Sequence, residues 1–207
     1  MPRKPWKLTY FNGRGRAESI RIVLTEAGIP FEDIRVSKKE WTAMKDSTPT
    51  HTLPILEIDN GIVLSQSTAI LIFLGSQLNM YSKDIMEMYR IDLIMNMMDD
   101  LIDKVLVPAL TEKDPNLKAE KTKAVEKENL PGYMKTLSRE LEAGGNGYFV
   151  GTKLTIADVK VFTVLENMAG AFPETIAKWK DIKGFMERIA SRPKIAAWIK
   201  GRPKSWF

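Results

Sequence analysis

Residues 6–28 read WKLTYFNGRGRAESIRIVLTEAG, and the order of signals within them decides the fold. Residues 6–11 alternate and are rich in aromatic side chains, as a strand requires. Asn12-Gly13-Arg14-Gly15 is a turn. Through residues 16–27 the apolar positions Ile20, Val23, Leu24 and Ala27 recur at helical spacing. Gly28 stands where a helix ends, and Pro30 prevents its continuation. Residues 31–36 read as a second strand, so the segment forms a right-handed crossover between two parallel strands.

Downstream, a weakly helical stretch surrounds Trp41. Residues 55–58 and 62–64 flank Asp59-Asn60-Gly61 as a hairpin. Ser65-Gln66-Ser67 then precedes a buried helix over 68–78, with serine at or near its cap. Beyond about residue 84 the strand signals nearly vanish. Ile94, Met98, Leu101 and Val105 mark one long helix, and a second, charged one covers 116–142 until Gly144-Gly145-Asn146-Gly147 breaks it. Thr155-Ile156-Ala157-Asp158 has the form of a capping box ahead of the apolar run 159–165. Ile182, Phe185, Met186 and Ile189 continue the helical pattern, as do residues 195–199. The expected architecture is an α/β domain over 1–79 followed by an all-helical domain over 80–207.

Composition narrows the chemistry. The 207 residues are 44% hydrophobic and 28% charged, an ordinary globular balance. With no cysteine and a single histidine, His51, disulfides, thiolate zinc sites, iron-sulfur clusters and a cysteine nucleophile are excluded. A serine hydrolase would need His51 as its base, and no G-x-S-x-G segment accompanies it. Thiol chemistry therefore needs a sulfur carried by the ligand. Residues 1–11 lack a signal peptide's apolar run, and no stretch of about 18 apolar residues occurs, so a cytoplasmic protein without membrane partners is expected. Net charge is +5, with nine basic against two acidic residues in 178–204. That basic segment reads as a solvated surface rather than a nucleic-acid site, since no aromatic residues interleave in a binding pattern.

The ordered set Leu8-Thr9-Tyr10-Phe11-Asn12-Gly13-Arg14-Gly15-Arg16-Ala17-Glu18, Trp41, Lys45, Leu53-Pro54, Gln66-Ser67-Thr68-Ala69-Ile70 and Asp99-Asp100 resembles the sigma-class cytosolic glutathione transferases. The resemblance is strongest to the branch holding the flatworm enzymes and haematopoietic prostaglandin D synthase, and it covers essentially the whole chain. It implies a thioredoxin-like first domain, a helical second domain contributing the electrophile pocket, and a homodimer. The implied activity joins the thiol of glutathione to small hydrophobic electrophiles, with a prostaglandin isomerase or peroxidase side activity.

The chemistry of a thiol supports the same assignment. Its pKa near 8.5 leaves about a tenth or less as thiolate at pH 7, yet the thiolate is the nucleophile. A phenol with pKa near 10 stays protonated and can donate a hydrogen bond to the sulfur anion. Lowering the thiol by about two units takes roughly 2.7 kcal/mol, within reach of one charge-assisted bond and a nearby cation. Tyr10 is the candidate donor and Arg16 the candidate cation, with Arg14 second.

By the same resemblance, Trp41 and Lys45, four residues apart on one helix face, hold the glycyl carboxylate. Leu53, before a cis Pro54, pairs with the cysteinyl amide like an added strand. Gln66 and Ser67 begin a helix whose N-terminus suits the γ-glutamyl carboxylate, and Asp100 reaches the γ-glutamyl ammonium held by the neighbouring subunit. Phe11, Gly13, Arg14 and Phe207 are the candidates for the electrophile pocket. Asn96 replaces an acid in the cluster by which some relatives bind a divalent ion, so no metal is expected. Thr50-His51-Thr52 departs from the family pattern beside the glycyl site. No tryptophan lies in 105–108, where the prostaglandin synthase has one.

Overall fold

A computed structural model describes residues 5–205. By their contacts these fall into two compact units, residues 82–189 and the remainder.

The first unit is built on the crossover. Strand β1 (Trp6–Phe11) pairs in parallel with β2 (Phe31–Val36), in register from Trp6↔Phe31 to Phe11↔Val36. Helix α1 (Glu18–Ala27) connects them and ends at Gly28, whose φ of 72° is left-handed and whose N–H reaches the carbonyls of Leu24 and Thr25. Helix α2 (Lys38–Met44) begins with a capping box between Ser37 and Glu40. Strand β3 (Ile55–Glu57) joins β1 antiparallel, and β4 (Val63–Ser65) joins β3, giving the order β2-β1-β3-β4. Helix α3 (Ser67–Gln77) packs on α1. Leu8, Ile20, Leu24, Leu56, Ile70 and Leu74 fill the space between sheet and helices. Ser67 lies next to the cap of α3 as its first helical residue, and Gln66 holds the cap position itself with φ 68°.

The second unit is helical. Helix α4 (Ile85–Asp100), capped by the Asp84 carboxylate, runs through a widened turn at Leu101–Leu106 into α5 (Val107–Leu110). Helix α6 (Pro115–Ala124), capped by Asp114, passes a second widened turn at Val125–Asn129 into α7 (Leu130–Gly144). Pro108 and Pro131 each follow one of these turns. A proline offers no N–H, and its ring crowds the carbonyl four residues back, so the wider turn relieves both. Helix α8 (Ile156–Ala169) is buried over Ile156–Leu165 and packs on α4. Its Thr155–Asp158 capping box forms as the sequence predicts. Lys160, within α8, is almost fully buried against the Asp99 carboxylate at 2.7 Å. Two further helices, α9 (Pro173–Lys178) and α10 (Lys180–Ala190), complete the unit, with Phe149 and Phe185 meeting edge-to-face at 4.9 Å. The short α9 has no counterpart in the apolar spacing.

The last helix, α11 (Pro193–Gly201), belongs to the first unit, where it packs on α1. Arg192 Nε donates to Glu26 Oε1 at 3.1 Å, Lys194 Nζ to the Glu26 carbonyl at 3.0 Å, and Trp198 Nε1 to Glu18 Oε1 at 2.8 Å. The helical run that follows residue 82 is thus divided by packing between the two units. No helix among the described residues is long and apolar enough to cross a membrane.

Candidate functional site

The site grows from the end of β1. Tyr10 stands there half-buried, and the turn after Phe11 folds back so that the Arg16 backbone N–H donates to the Tyr10 hydroxyl oxygen at 3.3 Å. Gly15 permits this approach. Its φ is 38°, and a Cβ there would lie 2.6 Å from the Tyr10 oxygen, closer than any side chain tolerates. The phenol oxygen therefore accepts from the backbone, and among the described residues the hydroxyl donates to no acceptor. A hydroxyl held as an acceptor on one side presents its hydrogen to a ligand on the other.

The turn itself is held from beneath by Arg21. Its Nη1 donates to the Gly13 carbonyl at 2.8 Å, the Arg14 carbonyl at 3.3 Å and Glu18 Oε2 at 3.0 Å. Its Nε donates to Asp33 Oδ1 at 2.8 Å, and its guanidinium carbon lies 6.0 Å from the centre of the Tyr10 ring. Asp33 Oδ2 accepts from Arg35 Nε at 2.9 Å, and Arg35 Nη1 reaches Asn12 Oδ1 at 3.0 Å. Arg21 and Glu18 are wholly buried. Their signal in the sequence is two charged residues three apart on a helix otherwise apolar on its inner face. Periodicity alone assigns such residues to a solvated face, so their part in the site goes unread.

Phe11 bridges the remaining aromatic residues, 5.7 Å from the Tyr10 ring and 6.3 Å from the Trp41 ring, edge-on to both. Trp41 is half-buried on α2. Lys45, exposed, starts the next turn, its N–H bonded to the Trp41 carbonyl. The Lys45 carbonyl accepts from Thr48 Oγ1 at 2.7 Å and lies 3.3 Å from His51 Nδ1. His51 is exposed with φ 52°, and Thr50 and Thr52 join hydroxyls at 2.8 Å.

The Leu53–Pro54 peptide is cis, with Pro54 buried at the foot of β3. Gln66 Nε2 donates to Thr52 Oγ1 at 3.4 Å, tying the loop before Leu53 to the start of α3. No side chain from the cap position covers the first turn of α3, so the positive end of its dipole has no side-chain cap.

The structure therefore gathers Tyr10, Phe11, Gly13, Arg14 and Arg16 around one turn, links Phe11 to Trp41, and links the Leu53 loop to Gln66. Asp100, in the second unit, is exposed and bonded to Lys104 Nζ at 2.8 Å. That bond holds the Lys104 ammonium above its ordinary pKa. Asn96 Nδ2 donates to the Asp92 carbonyl at 2.8 Å. Among the described residues, no group of three or more histidines or acids is placed to hold a metal. Phe207 lies outside the described residues.

Residues 6–76 match the family model described as glutathione S-transferase, N-terminal domain, and residues 99–202 match that for the C-terminal domain. S-crystallin SL11 of Nototodarus sloanii is 34% identical over 205 residues, 98% of this chain and 98% of that protein. Glutathione S-transferase 1 of Ascaris suum is 32% identical over 203 residues, 97% of this chain and 98% of its own. The solved structure of prostaglandin synthase D of Nilaparvata lugens superposes with a TM-score of 0.89 at 31% identity, covering 98% of this chain and 100% of that one.

Proposed function

The chain belongs to the glutathione S-transferase family, and from that premise we propose that it conjugates the glutathione thiolate to small hydrophobic electrophiles. One observation carries the reading: the Tyr10 oxygen accepts the Arg16 N–H and keeps its own hydrogen uncommitted. A sulfur placed on the open side of that phenol receives the hydrogen bond, and the nearby cationic turn adds charge stabilisation. The thiolate attacks the electrophilic carbon, the carbon–sulfur bond forms with the sulfur's electron pair, and the leaving group departs with its own pair. Activation and positioning of the nucleophile are the catalytic means.

Glutathione spans the first unit in this reading. Trp41 and Lys45 take the glycyl carboxylate, the Leu53 backbone takes the cysteinyl amide, and Gln66 with the start of α3 takes the γ-glutamyl carboxylate. Asp100 of a second copy completes the site at the γ-glutamyl ammonium, which makes the working form a cytoplasmic homodimer. Exposed apolar side chains support that assembly. Ile62 and Val63 are 53% and 38% exposed in the first unit, while Ile85, Tyr89 and Leu93 share one face of α4 in the second. The same thiolate serves glutathione-dependent prostaglandin isomerisation and hydroperoxide reduction as side activities.

The similarity to an S-crystallin favours a second reading, a packing protein with little turnover. One assay separates the two: conjugation of glutathione to chlorodinitrobenzene, by wild type and Tyr10→Phe. The enzyme reading expects sustained wild-type turnover, a loss of about a hundredfold in the variant from one missing charge-assisted bond, and glutathione affinity within about twofold. Tight glutathione binding without wild-type turnover supports the crystallin reading. Full activity of Tyr10→Phe removes the phenol as the thiolate donor.

A further inference from the structure

We propose that Arg21 is a positioning residue for Tyr10, and that the C-terminal helix takes part in setting the acidity of the bound thiol through Glu18. The proposal rests on the reading of Tyr10 as thiolate donor and adds what holds that donor in its active state.

Arg21 acts on Tyr10 in two ways. Its Nη1 ties the carbonyls of Gly13 and Arg14, the residues just before the Gly15–Arg16 peptide whose N–H grips the phenol oxygen. Fixing those carbonyls fixes the direction of that N–H. The guanidinium carbon also lies 6.0 Å from the Tyr10 ring centre, at the outer reach of a cation–π contact. Its buried Nη2 has no hydrogen-bond acceptor, so the ring face is the guanidinium's remaining electron-rich neighbour. A cation behind the ring, and an N–H on the oxygen, both make the phenol a stronger donor to an anion on its far side.

Arg21 does not stand alone in the interior. Glu18 from α1 and Asp33 from β2 face it, and each carboxylate is shared with a second arginine. Arg202 Nη1 donates to Glu18 Oε1 at 2.9 Å, beside Trp198 Nε1 at 2.8 Å, while Arg35 holds the other oxygen of Asp33. Helix α3, also packed on α1, carries no charged residue. Positive and negative groups therefore alternate from Arg202 through Glu18, Arg21 and Asp33 to Arg35, with one end on the C-terminal segment and the other at Asn12 of the catalytic turn. Without Arg202, buried Glu18 keeps the Trp198 N–H but loses one of its two cations, so more of its charge falls on Arg21 and draws the guanidinium away from the turn carbonyls. A buried carboxylate with one cation fewer attracts the remaining one more strongly.

The test titrates the glutathione thiol bound to the full-length protein by its ultraviolet thiolate absorbance, together with the pH profile of kcat/KM for chlorodinitrobenzene. Arg21→Lys keeps the charge but loses the planar fork. It is expected to raise the bound-thiol pKa by about one unit, cutting thiolate about tenfold below that pKa. The loss in kcat/KM recovers at high pH, and KM for glutathione stays within about twofold. Arg202→Gln is expected to raise the thiol pKa by about half a unit. Arg192→Gln breaks the Glu26 contact of the same helix without touching Glu18 and should leave the thiol unmoved.

Should Arg21→Lys not fold, Arg202→Gln and Arg192→Gln decide the matter. Unchanged thiol acidity in every folded Arg21 and Arg202 variant overturns the inference, as does an equal shift in Arg192→Gln. A wild-type protein that binds glutathione without lowering its thiol pKa overturns instead the reading of Tyr10 itself.

Discussion

Gly15 is where one side chain decides whether the site exists. With φ at 38° and the Tyr10 oxygen 2.6 Å from any Cβ built there, Gly15→Ala must either move the phenol or reshape the turn. Conjugating turnover should fall at least about tenfold, with an unfolding cost of about 1–3 kcal/mol. Steady-state kinetics beside a thermal melt checks both. The turn around it is legible in the sequence, because two glycines in Asn12-Gly13-Arg14-Gly15 announce a tight turn directly after an aromatic strand, but the approach of Gly15 to the Tyr10 oxygen is not. The same signals put Tyr10 at the strand's end and Arg16 just past the turn; they point to Arg16 as a cation, whereas the contact the structure shows is its backbone N–H on the Tyr10 oxygen. Arg21 was not legible: inside Ile20-Arg21-Ile22 a charge reads as the wet side of a helix. Its burial depends on Asp33 and Glu18, and Glu18 in turn on a donor 184 residues away in the chain. No local window holds that information.

Helix starts carry their own signals, which is why the elements were read well. Thr155 and Asp158 form the expected capping box at the head of the most buried helix. Asp158 accepts from Phe149 N at 2.8 Å and from Thr155 N and Oγ1, each at 2.7 Å. Burial nevertheless outweighs these bonds and pushes its carboxyl up from 3.8 to about 6. The folded state therefore binds a proton more readily than the unfolded chain. The group's contribution to stability is greatest below pH 3.8 and is lost as pH rises to about 6. Asp158→Asn keeps an acceptor and removes the titration. Urea unfolding should show wild type losing stability relative to this variant as pH rises from 4 to about 6, and a constant difference above that. The widened turns before Pro108 and Pro131 escaped the reading of helical spacing, because an apolar repeat counts residues per turn and is blind to one loosened turn. The prolines themselves were the available clue.

Assembly is a property of the molecule as a whole. Ile85, Tyr89 and Leu93, at successive turns of α4, are 72%, 58% and 40% exposed, more apolar surface than a lone helix face ordinarily leaves to water. In sedimentation velocity the wild type should run as a dimer. Tyr89→Glu combined with Leu93→Glu should run as a folded monomer, with weaker glutathione binding if the proposed dimer lends each site the Asp100 of a second copy. A wild-type monomer with full glutathione affinity would remove the second copy from the site. The division into a mixed and a helical region was legible from where strand signals stop near residue 84. The return of α11 to the first unit was not, because amphipathic spacing records that a face is buried and never against what. That return has a consequence for synthesis. Glu18 is made well before its partners Trp198 and Arg202, which follow 180 and 184 positions later. On the ribosome the sheet that carries Tyr10 is thus translated before the helix that clasps α1, and a nascent chain stalled short of α11 holds Glu18 without either donor.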